Sequence, residues 1–272
     1  MRSLFGLEGK RIVVLGGGQG MGEATVRLLA SLGAELAVVD LEASRAERVA
    51  AEATAVGARA LPFSADVLND DSLVAAIEKI DKSLGPIDGM ATIIGMAAWA
   101  PIVETSMDVW DQDHRRNLRY FFLASREVGK RLLARGAPGS IVGVASVDGI
   151  RSSPNHASYG AAKAGLINLV KTMAVEWSGQ GIRVNLVAPG GIVTPRLPHM
   201  GVAEARFENV VPMKRRGTVD DIAKAITIFL SDLTPYVTGQ TLAVDGGFEA
   251  ANVLYLNSQG ATPRRGTMGV DA

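Results

Sequence analysis

Short apolar runs alternate with helically spaced segments along most of the chain, and this alternation constrains the fold more than any other feature of the sequence. The runs at 11–15 and 35–39 are rich in β-branched residues and end at a glycine or an aspartate, which is typical of buried parallel strands. Residues 22–32, between them, carry apolar side chains at helical spacing. Because strands joined by helical crossovers form a parallel sheet covered on both faces, we expect an α/β fold.

The same pattern continues to the end of the alternation and predicts a single core. The predicted strands are 11–15, 35–39, 58–63, 87–93, 140–145, 183–187 and 241–244. The predicted helices are 22–32, 42–56, 70–84, 107–134, 158–178 and 219–230. Strands connected in this way form a doubly wound, Rossmann-type sheet of seven strands in a three-layer α/β/α arrangement. The length of 272 residues suits one such core and leaves little room for a second.

Two segments lie outside the alternation. Residues 194–211 separate a predicted strand from a predicted helix, and their mixed polar and apolar character suits a substrate lid. Residues 250–272 show no periodicity, and we predict an irregular tail or a subunit contact there. The domain itself is therefore predicted at residues 1–249.

The composition excludes several classes of function. Basic and acidic residues number 28 each, so the chain lacks the positive field that drives binding to nucleic acid or anionic membranes. No cysteine is present, which excludes disulfides and thiolate chemistry, and the three histidines show no metal-ligand spacing. We see neither a membrane-spanning stretch nor the apolar segment of a secretory signal. We therefore expect a cytoplasmic protein that binds no metal and acts on a small molecule.

A glycine-rich turn follows the first predicted strand and opens the first predicted helix. Residues 15–22 read Leu-Gly-Gly-Gly-Gln-Gly-Met-Gly. Glycine lets the chain turn tightly there and lets backbone N–H groups approach a pyrophosphate at the helix N-terminus. Asp40 ends the second strand, where a carboxylate can accept hydrogen bonds from the adenosine ribose and would repel a 2′-phosphate. The turn therefore predicts a dinucleotide site, with a strand-end or capping role as the alternative for Asp40.

A second group of polar residues indicates acid–base chemistry. Tyr159 and Lys163 are four residues apart on a predicted helix, so they share one face. A free tyrosine, with a pKa of about 10, is a poor acid–base group at neutral pH, but a nearby ammonium and a nicotinamide cation would lower that pKa. Ser146 ends the preceding strand, where its hydroxyl could hold a substrate oxygen beside the phenol.

These motifs, in this order, resemble those of the classical short-chain dehydrogenase/reductase family over about residues 7–248. Gly16, Gly20 and Gly22 match the family's glycine turn, although Leu15 stands where threonine is usual. The remaining matches, in chain order, are Asp66, Val67, Asn117, the segment at 185–194 that contacts the nicotinamide end of the cofactor in the family, and the signatures at 238–240 and 245–247.

The resemblance implies a catalytic tetrad of Asn117, Ser146, Tyr159 and Lys163. Tyr159 would be the general acid–base, and Ser146 would orient the reacting oxygen. Lys163 would bind the nicotinamide ribose and lower the pKa of Tyr159, while Asn117 would support a water-mediated proton relay.

The resemblance also implies a nicotinamide dinucleotide. Family members that use NADP tend to carry a basic residue in the glycine turn or just past the second strand, whereas this chain has Gln19 and Asp40. We therefore predict NAD(H), and we expect Arg45 on the next helix to be a solvated charge. The implied cofactor-binding residues are Gly16, Gln19, Gly20, Met21, Gly22, Asp40, Asp66, Val67, Gly95, Tyr159, Lys163, Pro189, Gly190, Ile192 and Thr194.

One segment departs from the family's pattern. Where the family has Asn-Asn-Ala-Gly after the fourth strand, this chain has Thr92, Ile93, Ile94 and Gly95. We expect the two isoleucines to support this region by packing, so that the change bears on the geometry around the cofactor rather than on the acid–base set.

The residues of the substrate pocket are inferred only from their positions in the family. The residues at these positions are rather apolar and lack an arginine cluster that could bind a carboxylate or phosphate, which favours a lipophilic cyclic, steroid-like or aryl secondary alcohol or ketone. We therefore expect an NAD-dependent alcohol dehydrogenase or ketone reductase. The alternatives are a 3-oxoacyl-thioester reductase and a non-catalytic dinucleotide-binding regulator. The pocket residues are Met96, Trp99, Asp148, His156, Gly191 and Leu197.

The two long predicted helices, 107–134 and 158–178, carry apolar residues on more than one side. They could simply be well buried within one subunit. In the family the equivalent helices pair across a two-fold axis, and the last strand adds a second interface. We therefore predict a homotetramer, with a dimer as the alternative.

Overall fold

The computed structural model describes residues 2–195, 207 and 209–251. Within them, the central element is a parallel sheet whose strands pair in the order β3-β2-β1-β4-β5-β6-β7. This arrangement confirms the predicted single α/β, Rossmann-type fold with seven strands. The strands are β1 Arg11–Leu15, β2 Glu35–Asp40, β3 Ala60–Ser64, β4 Gly89–Thr92, β5 Gly139–Val144, β6 Ile182–Pro189 and β7 Thr241–Val244.

Helices cover both faces of the sheet. They are α1 Arg2–Phe5, α2 Gly20–Ser31, α3 Ala43–Ala55, α4 Asp70–Ser83, α5 Met107–His114, α6 Tyr120–Arg135, α7 Ala157–Trp177 and α8 Val219–Leu230. Short 3₁₀ turns occur at Ile102–Glu104, Val147–Gly149 and Ser178–Gln180. No helix in the described part of the chain is long and apolar enough to cross a membrane.

The core consists of two apolar layers, one on each side of the sheet. Alternate residues of β1 face opposite sides, so that Val13 packs in one layer and Val14 in the other. Helices α4, α6 and α7 cover the first layer, and α2, α3 and α8 cover the second. Both side chains of β1 named here are fully buried, as expected for a central strand covered on two faces.

Several element boundaries differ from the predicted ones by one or two residues. The third strand was predicted from residue 58, but the Ala58 N–H donates to Ala53 O at the end of α3, so that residue belongs to the connection. The fourth strand was predicted from residue 87, but the Ile87 N–H donates to the Asp81 carboxylate. Apolar runs mark burial, and buried residues extend beyond the hydrogen-bonded ladder.

The structure confirms the predicted helical stretch over 107–134, but a π-helical turn divides it. Helix α5 ends at His114, a π-helical turn spans Arg115–Arg119, and α6 begins at Tyr120. The extra residue in the turn allows the fully buried side chain of Asn117 to donate to Met96 O and to Asp113 O, at 2.9 Å each. Hydrophobic spacing does not reveal such an insertion, because apolar residues continue on both sides of it.

The site lies at the carboxyl edge of the sheet. The chain order reverses between β1 and β4, and a crevice forms outside the carboxyl ends of strands at such a point. The glycine turn follows β1, Gly95 follows β4, Ser146 follows β5 and Gly190 follows β6. Most of the predicted site residues therefore meet at one edge although they are far apart in sequence.

Candidate active site

The glycine turn between β1 and α2 is shaped for close approach by a ligand. Gly16 has φ of +82°, and a Cβ there would lie 2.6 Å from Ile93 O. A Cβ on Gly22 would lie 1.8 Å from Gly16 O, so only glycine fits. The N-cap residue of α2, Gln19, makes no side-chain cap, which leaves the first N–H groups of the helix for an anion. Met21 packs partly buried behind this turn.

Asp40 lies beside the turn, and two arginines lie near it that the sequence analysis did not place there. Its carboxylate accepts hydrogen bonds from Gly18 N at 3.1 Å and Glu42 N at 3.2 Å, so it also has the local structural role considered as the alternative. Arg45 pairs with Glu42 at 2.9 Å.

Arg48 donates to Gly18 O at 3.0 Å and pairs with Glu23 and Glu52, at 2.8 Å each. Hydrogen bonds to these two glutamates raise the pKa of Arg48. Both arginines beside the turn are thus paired with carboxylates, and Asp40 contacts the turn as closely as Arg48 does.

The residues after β3 form a local turn. Asp66 is exposed, and its carboxylate accepts a hydrogen bond from Leu68 N at 2.9 Å. Val67 is partly buried against the first core layer. Both residues follow the carboxyl end of β3, which is the neighbour of β2 in the sheet, so they lie on the same side of the site as Asp40.

Lys163 is buried in the centre of the site. Its Nζ donates to Val144 O at 2.8 Å and lies 5.6 Å from the centroid of the Tyr159 ring. A Cβ on Gly95 would lie 3.0 Å from Asn117 Oδ1 and 3.2 Å from Lys163 Nζ, so the glycine brings these groups together. Asn117 Oδ1 is buried and has no hydrogen-bond partner in the described structure.

The Ser146 hydroxyl lies near the Tyr159 phenol and acts to lower its pKa. The Ser146 Oγ also accepts a hydrogen bond from Asp148 N at 3.1 Å, which orients the hydroxyl at the end of β5. The structure therefore brings all members of the predicted tetrad into one site. A serine and a tyrosine hydroxyl together can hold and protonate one substrate oxygen.

In the protein alone the pKa of Tyr159 lies above its ordinary value, and the expected lowering by an ammonium and a nicotinamide cation together stays a prediction. Burial raises the pKa of Tyr159 to about 12 against the opposing hydrogen bond from Ser146, and the charges of Asp148 and Asp113 raise it further. Burial also lowers the pKa of Lys163 to about 7, because it disfavours the charged form of the amine. The ammonium expected to lower the pKa of Tyr159 is therefore itself destabilised by burial. Sequence spacing places these two groups together but does not reveal their desolvation.

The segment after β6 is held by β7 on one side and by the residues that precede α8 on the other. Gly190 N donates to Val244 O at 3.1 Å, and Gly217 N donates to Gly191 O at 3.0 Å. Ile192 forms a parallel bridge with Gly217. This places Pro189, at the end of β6, and the following residues through Thr194 along the site. Leu197 and most of the predicted lid at 194–211 lie outside the described residues, as does most of the tail at 250–272.

Two of the predicted pocket residues, Trp99 and His156, stack beside Tyr159. The rings of Trp99 and His156 have centroids 3.6 Å apart, and those of His156 and Tyr159 are 5.4 Å apart. His156 Nδ1 lies 2.6 Å from Asp148 Oδ2. Met96 is exposed, and its carbonyl accepts the hydrogen bond from Asn117.

A buried carboxylate next to the tetrad was missed in the sequence analysis. Asp113 is 1% exposed, and its Oδ2 accepts hydrogen bonds from Ser158 Oγ at 2.5 Å and Ala98 N at 3.4 Å. Its position, one helical turn before Asn117, was the available signal, because residues at this spacing share a helix face. In the described residues, no group of three or more histidine, aspartate or glutamate side chains is placed to hold a metal ion.

Tyr120 supports the segment that departs from the family's pattern. Its buried hydroxyl donates to Ile94 O at 3.0 Å and lies 3.4 Å from Thr92 Oγ1. Ile93 packs partly buried against one core layer and Ile94 against the other. The expectation of support by packing was therefore incomplete, since a hydroxyl group from α6 also satisfies the backbone here.

Known proteins similar to this chain are oxidoreductases. A family model described as "Enoyl-(Acyl carrier protein) reductase" matches residues 16–249. The 2-(S)-hydroxypropyl-CoM dehydrogenase 3 of Xanthobacter autotrophicus is 35% identical over 251 residues, which cover 90% of this chain and 98% of that protein. The 3-oxoacyl-(acyl-carrier-protein) reductase of Thermotoga maritima is 34% identical over 244 residues, which cover 89% of this chain and 98% of that protein.

A solved structure is similar over nearly the same extent. It is described as a 7 alpha-hydroxysteroid dehydrogenase complexed with NADH and 7-oxo glycochenodeoxycholic acid. Its TM-score is 0.85 at 29% sequence identity, and the match covers 89% of this chain and 94% of that one.

Proposed function

Because the chain belongs to the classical short-chain dehydrogenase/reductase family of oxidoreductases, we propose that it uses NAD(H) to interconvert a secondary alcohol and a ketone. The observation that carries the proposal is the meeting of Ser146, Tyr159 and Lys163 at the carboxyl edge of the sheet, beside the uncapped N-terminus of α2. A dinucleotide bound across this edge would have its phosphates at the helix and its nicotinamide at the tyrosine.

The described residues fit such a cofactor. The glycine turn leaves space that side chains would fill, and Asp40 is placed to accept hydrogen bonds from the adenosine ribose. The same negative charge, with both neighbouring arginines already paired to glutamates, favours NAD(H) over NADP(H). When bound, NAD(H) supplies the hydride acceptor or donor and, in its oxidised form, a positive charge near the tyrosine.

In alcohol oxidation, Ser146 Oγ would hold the substrate hydroxyl and Tyr159 Oη would accept its proton. Lys163 would bind the ribose of the nicotinamide. With a pKa of about 7, its Nζ can exchange a proton near neutral pH and so return the tyrosine to its starting state. Asn117 holds the chain after β4 through Met96 O, and its unpartnered Oδ1 would accept a hydrogen bond from a water in the relay.

The substrate is proposed to be lipophilic and cyclic, steroid-like or aryl. Exposed apolar side chains follow β4 at the carboxyl edge, and Trp99, with 62% of its surface exposed, stacks beside the catalytic residues. The similar structure described with a 7-oxo bile acid derivative supports this class. A cytoplasmic location and a homotetramer complete the proposal.

A 3-oxoacyl-thioester reductase is the second candidate, because the family model and the Thermotoga maritima relative carry descriptions of this type. A non-catalytic dinucleotide-binding regulator is disfavoured, since a binding protein has no need to keep Tyr159 and Lys163 together on one helix face.

A substrate screen separates these candidates. Cyclic, aryl and steroidal secondary alcohols are incubated with NAD⁺ or NADP⁺, and a 3-oxoacyl thioester is incubated with NADH or NADPH, while absorbance of the reduced cofactor is followed. We expect NAD⁺-dependent oxidation of a cyclic or aryl alcohol. Reduction of the thioester alone would support the second candidate, and inactivity with every pair despite tight NADH binding would support the regulator.

A further inference from the structure

His156 is buried beside the catalytic tyrosine with one ring nitrogen engaged and the other not. The side chain is 7% exposed, and Nδ1 lies 2.6 Å from Asp148 Oδ2. Nε2 is also buried but has no hydrogen-bond partner in the described structure. Buried polar side-chain atoms are nearly always hydrogen-bonded, so a substrate atom is a natural partner for this nitrogen.

The neighbours of Asp148 determine what Nε2 can bind. Burial alone would raise the pKa of Asp148, but hydrogen bonds from His156 and Ser153 outweigh it and hold the pKa below its ordinary value. Ser153 Oγ donates to Asp148 Oδ1 at 2.5 Å, so both carboxylate oxygens are engaged. Because a carboxylate only accepts hydrogen bonds, Nδ1 carries the ring proton. In the neutral ring, Nε2 is then an acceptor suited to a hydroxyl group.

The Asp148–His156 pair contacts both the catalytic serine and an apolar side chain. Asp148 N donates to Ser146 Oγ at 3.1 Å, and the His156 ring lies between Tyr159 and Trp99. The exposed indole of Trp99 packs directly against the imidazole, with ring centroids 3.6 Å apart.

We propose that His156 Nε2 accepts a hydrogen bond from a second substrate hydroxyl, on the carbon next to the one that reacts. The preferred substrates are then cyclic vicinal diols and the matching hydroxyketones, with their apolar ring atoms against Trp99. The His156 and Tyr159 rings are neighbours, with centroids 5.4 Å apart, so one small substrate can reach both side chains with two hydroxyls close together on its ring. This inference rests on the proposed oxidation of secondary alcohols and adds the group that selects among them.

The test compares cyclohexanol with cis- and trans-1,2-cyclohexanediol, using NAD⁺ and the intact protein. For the wild type we expect kcat/KM to favour one diol isomer over cyclohexanol by at least about tenfold, because a site built to bind a hydroxyl penalises a ligand without it. His156→Phe keeps an aromatic ring against Trp99 and removes both nitrogens. We expect it to abolish the preference, because kcat/KM should fall at least about tenfold further for the favoured diol than for cyclohexanol.

Two further variants separate substrate recognition from a structural role. His156→Gln offers a polar group near the position of Nε2 and should restore part of the diol preference. His114→Phe is the matched control, because His114 also lies beside a tryptophan, with its ring centroid 4.4 Å from that of Trp110. Its Nδ1 is also hydrogen-bonded, at 2.8 Å from Trp110 O. This variant should leave the preference unchanged. Circular dichroism and NADH titration confirm that each variant is folded and binds cofactor.

The outcomes distinguish this inference from the proposed function. Equal kcat/KM for cyclohexanol and both diols in the wild type overturns the inference and leaves the proposed function standing. So does an equal loss for all alcohols in His156→Phe. Failure to oxidise these alcohols and every other alcohol in the screen contradicts the proposed function and the inference together.

Discussion

Around Tyr159, individual charges set the pH at which the site can act. In alcohol oxidation the phenol must be deprotonated to accept the substrate proton, so the rate should rise with pH through the pKa of Tyr159. The negative charges of Asp113 and Asp148 raise this pKa because they disfavour a second negative charge nearby. Removing one of them should therefore move the rise in rate to lower pH.

Asp113→Asn tests this directly. The amide keeps an oxygen for the hydrogen bonds from Ser158 and Ala98 but carries no charge. We expect the midpoint of the pH profile of kcat for oxidation to shift to lower pH, by about half a unit or more. Asp111→Asn, an exposed residue on the same helix, is the control and should not shift it. A midpoint that stays in place or moves to higher pH in Asp113→Asn would show that this carboxylate does not act on the tyrosine.

The proposed preference for NAD(H) rests on the charge of Asp40. The wild type should bind NADH more tightly than NADPH by at least about tenfold, or roughly 1.4 kcal/mol. Asp40→Asn keeps an acceptor for the Gly18 N–H and removes the charge that repels a 2′-phosphate. The difference in affinity between NADH and NADPH should therefore fall to a few-fold. Fluorescence titration with both reduced cofactors measures the two dissociation constants. NADPH binding as tight as that of NADH in the wild type would refute this role.

At the residue level, sequence reasoning works where a motif keeps short spacing. Tyr159 and Lys163 could be placed together from one helical turn, and the glycine turn from its position after a strand. Asp113 could not be linked to Ser158, because 45 residues separate them and only the packing of α5 on α7 brings them together. Desolvation, which raises one pKa and lowers the other, likewise depends on the whole core.

The connection after β4 depends on α6. The hydroxyl of Tyr120 donates to Ile94 O inside the core. The sequence analysis expected this connection to be supported only by packing of its isoleucines. Tyr120→Phe removes this donor and leaves a buried carbonyl without its partner. We expect the free energy of unfolding to fall by about 1–3 kcal/mol, measured by urea denaturation.

Tyr236→Phe is the matched control, because Tyr236 is fully exposed and its hydroxyl needs no protein partner. It should change the stability by less than about 0.5 kcal/mol. If Tyr120→Phe were as stable as this control, packing of the two isoleucines would be sufficient to support the connection, as the sequence suggested.

The order and type of the elements follow from hydrophobic periodicity, and the π turn at Arg115–Arg119 does not. Periodicity reports which face of a helix is buried, and a single inserted residue leaves that signal almost unchanged over a long helix. The turn nevertheless positions Asn117, so the least visible feature of this helix is the one that matters for the site.

For the whole molecule, assembly stays a prediction. Of the apolar residues on α6, Phe121 and Leu132 are fully buried within the chain, which accounts for part of the pattern. Phe122 and Leu133 remain exposed, as does Val175 on α7. These outward apolar side chains fit a two-fold contact between subunits. Light scattering at micromolar concentration should give the mass of a tetramer, and a stable, active monomer would refute the prediction.

The central claim is that Tyr159 transfers the proton, and Tyr159→Phe tests it most directly. The change keeps the ring beside His156 and removes only the hydroxyl that meets Ser146. NADH affinity, measured by fluorescence titration, should stay within a few-fold of the wild type, while kcat for NAD⁺-dependent oxidation of the best alcohol should fall by about a hundredfold or more. Near-normal turnover in this variant would contradict the account, because another group would then transfer the proton.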